Sequence, residues 1–366
     1  MLKAGIVGLP NVGKSSLFNA LTAQGAPSEN YPFCTVDPNV GTVEVPDPRL
    51  ERIHALTGSR TVVPTVVQFV DIAGLVKGAS EGEGLGNRFL ANIREVDAIV
   101  HVLRCFDDPD ITHVLGGVDP VRDREIVNTE LALADLESVE RRLERVVRRA
   151  KSGEREAQLE KALLERLLER LAEGRAVRGI ELTEAERPVL QSFQLLTSKP
   201  VLYLANVGED DIVEGANEWT EALRTVLAVE EPDALVVAVC SAIESELAEL
   251  SPDERSEFLG EMGLEEPGLH RLIRATYQLL GLITFFTTGE RESRAWTVRR
   301  GARAPEAAGT IHSDFERGFI RAETIAYEEY EAIGSMKAAR EQGRIRSEGK
   351  DYLVKDGDIL LFRFNV

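Results

Sequence analysis

Near the start of the chain, Gly8-Leu9-Pro10-Asn11-Val12-Gly13-Lys14-Ser15 has the residue types and spacing of a loop that wraps phosphate. Glycines let the backbone come close, so successive N–H groups and the first turn of a following helix point at negative charge. Lys14 reaches the outer phosphates, and the Ser15 hydroxyl is placed to ligate magnesium. Downstream, Asp71 closes an apolar run and opens Asp71-Ile72-Ala73-Gly74. Its carboxylate would hold the magnesium shell, while the Gly74 N–H would sense the terminal phosphate. Thr35, in Tyr31-Pro32-Phe33-Cys34-Thr35, lies between the two motifs, where a switch loop belongs, and its hydroxyl would complete the metal shell.

Two positions depart from an ordinary GTPase. A guanine reader would show Asn-Lys-x-Asp after the strand at Pro200–Ala205, but the chain has Asn206-Val207-Gly208-Glu209. A short aspartate accepts two hydrogen bonds from guanine, a pairing that by analogy with base readout discriminates by about 1–3 kcal/mol. Glu209 is longer and the covering lysine is missing, so most of that preference is expected to go. Backbone groups near Val207 would then select adenine, with loop contacts from Cys240-Ser241-Ala242-Ile243. The second departure is Leu75, where Ras-like enzymes carry a glutamine that orients the attacking water. His113, titratable and in the polar loop Asp107–His113, is a candidate replacement. A potassium ion held partly by Asn11 is another, whereas His101 sits within an apolar strand and reads as core. The glycines of Gly82-Glu83-Gly84-Leu85-Gly86 predict a second switch loop that moves without ligand.

These groups need elements to hold them. Residues 2–7 read as a strand, followed by the loop and a helix from Ser15 to about Ala23. Val62–Val70, Ala98–Leu103, Pro200–Ala205 and Leu235–Val239 read as buried strands, and strands alternating with helical patterns predict a doubly wound α/β sheet. The pattern breaks between Thr129 and Thr197. There Leu136, Val139, Leu143, Val146 and Ala150 fall at helical spacing, as do Leu159, Leu163, Leu167 and Leu171, with a turn at Lys151–Glu154. An inserted antiparallel helical hairpin is expected. Its first arm carries Arg141, Arg142, Arg145, Arg148, Arg149 and Lys151, either a solvated face balanced by glutamates or a docking surface for RNA or an acidic protein. From about Gly281 the text turns to short β-like runs at Ile283–Thr287, Ala295–Val298, Tyr352–Val354 and Ile359–Phe364, with one helix near His312–Phe319. The expected domains are 1–128 with 198–280, the insertion 129–197, and a small α+β module at 281–366.

The 366 residues suffice for several cores, and a net charge of -19 argues against general coating of nucleic acid. The three cysteines, Cys34, Cys105 and Cys240, stand in no metal-ligand spacing and suggest a reducing compartment. No apolar run approaches the roughly 18 residues of a membrane span. Met1–Val7 runs straight into the phosphate loop, so it reads as a strand and not a signal peptide, and a cytoplasmic location is expected.

Together the phosphate loop, Tyr31–Thr35, Asp71-Ile72-Ala73-Gly74-Leu75-Val76-Lys77-Gly78-Ala79-Ser80, Gly84–Asn87, Asn128–Leu131 and Glu348–Asp358 make the whole chain resemble the YchF family of Obg-like ATPases. The resemblance implies a Ras-like P-loop domain with an inserted coiled coil, plus a C-terminal TGS domain of β-grasp fold. It implies a preference for ATP over GTP and association with ribosomal particles. It also implies nucleotide contacts from Asn11, Val12, Gly13, Lys14, Ser15 and Ser16, magnesium at Ser15 and Thr35, and a base contact from Val207. Ser16 stands where the family usually has threonine, and Ala242-Ile243 departs from its usual loop. The leading expectation is a slow magnesium-dependent ATPase switch. A GTPase with relaxed base choice and an ATP-gated adaptor with incidental hydrolysis stand beside it.

Overall fold

The computed structural model describes residues 2–23, 39–72 and 85–365, with 85–88 described by their backbone only. Thr35, Gly74, Leu75 and most of the Gly82–Gly86 stretch lie outside the described residues. The chain forms two compact units, Met1–Thr42 with Gln68–Leu272, and Val43–Val67 with Ile273–Val366.

The sequence begins with β1 (Lys3–Val7), α1 (Lys14–Ala23), β2 (Val40–Glu44), α2 (Pro48–Thr57), β3 (Thr61–Val63) and β4 (Val66–Asp71). It continues through α3 (Leu85–Arg94), β5 (Ala98–Cys105), α4 (Pro120–Lys151), α5 (Arg155–Ala172), α6 (Glu186–Phe193), β6 (Val201–Val207), α7 (Glu218–Glu230), β7 (Leu235–Val239), α8 (Ser241–Glu249), α9 (Pro252–Glu261) and α10 (Gly268–Leu279). The first sheet has the order β2-β4-β1-β5-β6-β7, and β1, β4, β5, β6 and β7 pair in parallel. Every residue of β5 and β6 is buried, as expected for strands covered on both faces. This is the doubly wound α/β sheet that the alternating pattern predicted.

The run Val62–Val70 is not one strand. Pro64 lacks an N–H for the ladder, and the chain divides there. β4 pairs with β1, whereas β3 pairs in parallel with a strand of the other sheet, Thr61 opposite Glu292. The second unit therefore takes in residues 43–67 as well as the C-terminal region.

The helical hairpin is present, with a tight turn at Gly153, whose φ of 86° favours glycine. Val139, Val146, Ala150, Leu163, Leu167 and Leu171 are buried between its arms. Thr129, where the insertion is expected to begin, lies inside a helix. α4 runs 32 residues without a break from Pro120, capped by the Asp119 side chain. The hairpin closes near Asp135, whose carboxylate accepts hydrogen bonds from the N–H groups of Leu196 and Thr197 and from the Thr197 hydroxyl, at 2.7–2.9 Å. Burial raises the Asp135 pKa, although these three donors oppose the shift.

The second unit adds β8 (Leu282–Thr288), β9 (Glu292–Arg299), α11 (Ala304–Ile311), α12 (Ser313–Arg317), β10 (Phe319–Ala326), α13 (Tyr327–Ile333), α14 (Met336–Glu341), β11 (Arg346–Glu348) and β12 (Asp358–Phe364). Its sheet order is β11-β10-β12-β8-β9-β3, with β8 and β12 parallel at the centre. Among the strands after residue 281, the first and last lie side by side, which is the β-grasp arrangement. Two expectations fail here. Tyr352–Val354 forms a single bridge, Leu353 to Arg303, and not a strand. The helix expected over His312–Phe319 is the short α12. The His312 Nδ1 caps it by accepting from the Asp314 N–H, and Phe319 already begins β10.

Candidate nucleotide site

The phosphate loop joins the buried β1 to α1, at the carboxyl edge of the parallel strands, where open α/β sheets hold ligands. Gly13 has φ 97°, and an added Cβ there would run into the Asn206 amide, so both backbone angle and space require glycine. Asn11 adopts φ 62°, a left-handed geometry that asparagine tolerates better than most residues. Its side-chain Nδ2 donates to the Thr112 carbonyl at 3.1 Å.

Lys14 is 8% exposed, and its Nζ donates to the Leu9 carbonyl at 2.6 Å. Burial pulls its pKa down to about 8, with the nearby Asp71 carboxylate opposing. Asp71, at the end of β4, is raised by burial and lowered by Lys14. The parallel register places Asp71 opposite Ile6, two residues before the loop begins. Ser15 and Ser16 are exposed at the first turn of α1. A serine hydroxyl and an aspartate carboxylate are hard oxygen donors, suited to magnesium.

Beside the loop lies a cavity of about 740 Å³, lined by Asn11, Gly13, Ser16, Val207, Glu209 and Ser241 among others. Asn206 belongs to its frame more than to its lining. The buried Nδ2 donates to the Val12 carbonyl at 2.9 Å, and Oδ1 accepts from the Ser241 N–H and hydroxyl, each at 3.0 Å. One side chain therefore ties the phosphate loop, the end of β6 and the start of α8 together. Its hydrogen-bonding groups are spent on protein, so it holds the wall, while Val207, Glu209 and Ser241 line the cavity beside it.

Sequence reasoning missed the opposite wall, the loop Phe106–Ile111. Arg104 builds it. Fully buried, it donates to the carbonyls of Phe106, Ile111 and Asp108 at 2.8–3.3 Å, and its guanidinium lies 4.6 Å from the Phe106 ring centroid. An arginine ending an otherwise apolar strand was the available signal, since a buried charge must be paired with polar groups.

His113, expected as a candidate water-positioning group, is engaged through both ring nitrogens. Its Nδ1 accepts from the Leu115 N–H at 3.1 Å, which leaves Nε2 to carry the proton and donate to Asp123 at 2.9 Å. With both nitrogens occupied, the ring anchors the loop to α4. His101 is core, as expected, but not satisfied. Its Nε2 has no partner among the described residues, and burial, with the charges of Arg124 and Arg178, pulls its pKa to about 3. Cys105 and Cys240 are free and buried, and Cys34 lies outside the described residues.

A glycine-bearing loop between strand and helix, a buried lysine folded back on that loop and hard oxygens beside it suit one kind of occupant, the phosphate chain of a nucleotide. Fold and site together define a P-loop nucleotide-binding protein. Family models agree: residues 3–148 match one described as "50S ribosome-binding GTPase", and residues 282–365 match YchF-GTPase_C, a protein of unknown function. The "Ribosome-binding ATPase YchF" of Bacillus subtilis (strain 168) is 56% identical over 366 residues, covering 100% of both chains. The protein of the same name from Escherichia coli O157:H7 is 52% identical, covering 100% of this chain and 99% of that one. "Obg-like ATPase 1" of Gallus gallus is 43% identical over 100% of this chain and 92% of its own. The solved structure of the Schizosaccharomyces pombe YchF GTPase superposes with a TM-score of 0.88 at 37% identity, covering 99% of this chain and 97% of that one. The chain belongs to the YchF family.

Proposed function

We propose that the protein is a magnesium-dependent ATPase that prefers ATP to GTP and acts in the cytoplasm as a nucleotide-dependent switch on the ribosome. Asn206-Val207-Gly208-Glu209, lining or framing the base cavity where a guanine reader would carry Asn-Lys-x-Asp, is the observation that carries the base choice. Relatives 52–56% identical that are named ribosome-binding ATPases support the activity and the partner. The helical hairpin with its arginines, together with the β-grasp module, would meet the ribosome. No helix among the described residues is long and apolar enough to cross a membrane.

The chain's own groups would act as follows. Incoming phosphates displace the Leu9 carbonyl from Lys14, whose ammonium then balances their charge. Loop N–H groups cradle the inner phosphates, and Ser15, Thr35 and Asp71 hold magnesium. A magnesium ion held there would supply positive charge to offset the negative charge that develops in the transition state. Gly74 contacts the terminal phosphate. Leu75 cannot hydrogen-bond water, so turnover is slow, and a potassium ion beside Asn11 is our candidate for the missing catalytic group.

Competition binding of ATP against GTP with magnesium present tests the base choice. Preference for ATP is expected; comparable affinities would favour a GTPase with relaxed base choice, and a tenfold preference for GTP would overturn the reading of Glu209. Cosedimentation with ribosomal subunits over a salt series, with ATP and with ADP, tests the switch. Equal binding in both nucleotide states would discard it.

A further inference from the structure

A second cavity, of about 480 Å³, lies within the first unit where α3, α4, α5 and α6 meet. Five guanidinium groups line it, those of Arg94, Arg141, Arg142, Arg145 and Arg149, against one carboxylate, Glu160. In a chain of net charge -19 this local excess runs against the overall balance. Arg142 spends its Nε on Glu160 at 2.7 Å, and Arg149 reaches the same carboxylate at 4.0 Å while pairing with Glu154. Arg141 pairs with Glu137 at 3.4 Å; Arg94 and Arg145 make no ion pair within 4.0 Å among the described residues, although Arg94 is near enough to the Asp135 carboxylate to help lower its pKa. The floor is apolar, formed by Val139, Leu164 and Phe193, and the Arg142 guanidinium lies 4.2 Å from the Phe193 ring centroid.

Arg94 and Arg145 are exposed, so solvent screens their repulsion and leaves both guanidinium groups accessible to an arriving anion. Guanidinium groups match phosphate oxygens in pairs, and a guanidinium plane also stacks on a flat ring. The cavity is much larger than a single phosphate group needs. We propose that it is a second nucleotide site, separate from the phosphate loop. A free nucleotide with at least two phosphate groups would place them against Arg94 and Arg145, and its base beside the Arg142–Phe193 pair. The inference does not depend on which triphosphate the phosphate loop takes.

The test uses the full chain with its phosphate loop filled by ADP and magnesium, titrated calorimetrically with adenosine 3′,5′-bisphosphate. One further equivalent should bind. Replacing both Arg94 and Arg145 by alanine, with the melting temperature unchanged, should weaken it by at least about tenfold, the scale of one lost charge-assisted hydrogen bond. The double lysine variant should recover part of the affinity, and K14A should leave this binding in place. No further equivalent, binding that disappears with K14A, or binding indifferent to the arginine pair would overturn the proposal. Two other probes separate related sources. Equal affinity for inorganic triphosphate would remove the base from recognition, and binding of a 5′-phosphorylated tetranucleotide but not of the bisphosphate would make the cavity an RNA docking point. Either result sinks the proposal of a nucleotide site.

Discussion

Asn206 donates its side-chain amide to the carbonyl of Val12 at 2.9 Å, and the same side chain accepts both the N–H and the hydroxyl of Ser241. The base-reading segment and the phosphate loop are thereby one construction. Asn206→Ala would leave a buried carbonyl and a buried N–H unpaired, costing about 1–3 kcal/mol for each group left unsatisfied. Nucleotide affinity should drop by tenfold or more alongside a lower melting temperature, read by calorimetry and thermal denaturation. Unaltered affinity would show that the three loops hold their places without this link.

Lys14 ties nucleotide binding to pH. In the free protein burial holds its pKa at about 8, below its ordinary value of 10.5. Phosphates bind the ammonium form, so raising pH through about 8 removes the form that binds. Dissociation constants for ATP measured at pH 7, 8, 9 and 9.5 should be flat at first and then rise with a slope approaching one decade per pH unit. The sign for folding is opposite: the buried ammonium opposes folding below about pH 8, and that penalty lifts between 8 and 10.5 as the native lysine deprotonates before the unfolded one.

The proposed base choice is tested at Glu209 and at the position of the absent lysine. Glu209→Asp alone should change little, while Glu209→Asp combined with Val207→Lys rebuilds the guanine pattern. The double variant should move the ATP-to-GTP affinity ratio toward GTP by about tenfold or more, given about 1–3 kcal/mol for a bidentate base contact. Because Val207 is buried, its melting curve has to accompany the binding data. A ratio that stays put in a folded double variant would move base selection to the Ser241 loop.

His113→Ala separates anchoring from catalysis. With both nitrogens engaged by Leu115 and Asp123, the expected result is a lower melting temperature and weaker nucleotide binding, with turnover at saturating ATP within about a factor of three of wild type, well short of the 10²–10⁴ of a general acid–base group. A hundredfold loss of turnover at unchanged stability would restore His113 to the mechanism.

Glu231 gives the first unit an acid-sensitive joint. Its side chain accepts hydrogen bonds from Arg124 at the start of α4, from Arg178 beyond α5 and from Tyr203 on β6. Burial raises its pKa, but Arg178, Arg124 and Tyr203 outweigh that and bring it to about 2. A depressed carboxylate stabilises the fold above its ordinary pKa of 4.5, and the gain fades as pH falls from about 4.5 toward 2. Denaturant titrations should find Glu231→Gln less stable than wild type by about 2 kcal/mol at pH 7, allowing for partial solvent access, with the gap narrowing below pH 4.5. A gap independent of pH would remove the carboxylate charge from the joint.

Several strands and the hairpin were readable because their signals are local. Apolar runs at Ala98–Leu103 and Leu235–Val239 match β5 and β7 closely, and helical spacing from Leu136 to Leu171 gave both arms. Val62–Val70 misled because hydrophobicity does not say which sheet a residue joins, and Pro64 had more weight than the flanking valines. The first turns of α4 were not legible because they are polar. Asp123, Arg124 and Asp135 look solvent-facing in a helical pattern, yet all three are buried with partners.

By itself the sequence determined that a phosphate loop follows a strand, that a carboxylate closes another strand, and that the guanine pattern is broken at Val207 and Glu209. Each of these depends on residue type and short spacing, which backbone geometry translates directly into position. Only the tertiary structure decided that Asn206 braces the loop, that Arg104 builds the far wall, that His113 is held by Leu115 and Asp123, and that five arginines line one cavity. Such roles come from partners distant in the chain, because a buried polar group takes its function from whatever satisfies it, and spacing along the sequence does not record that.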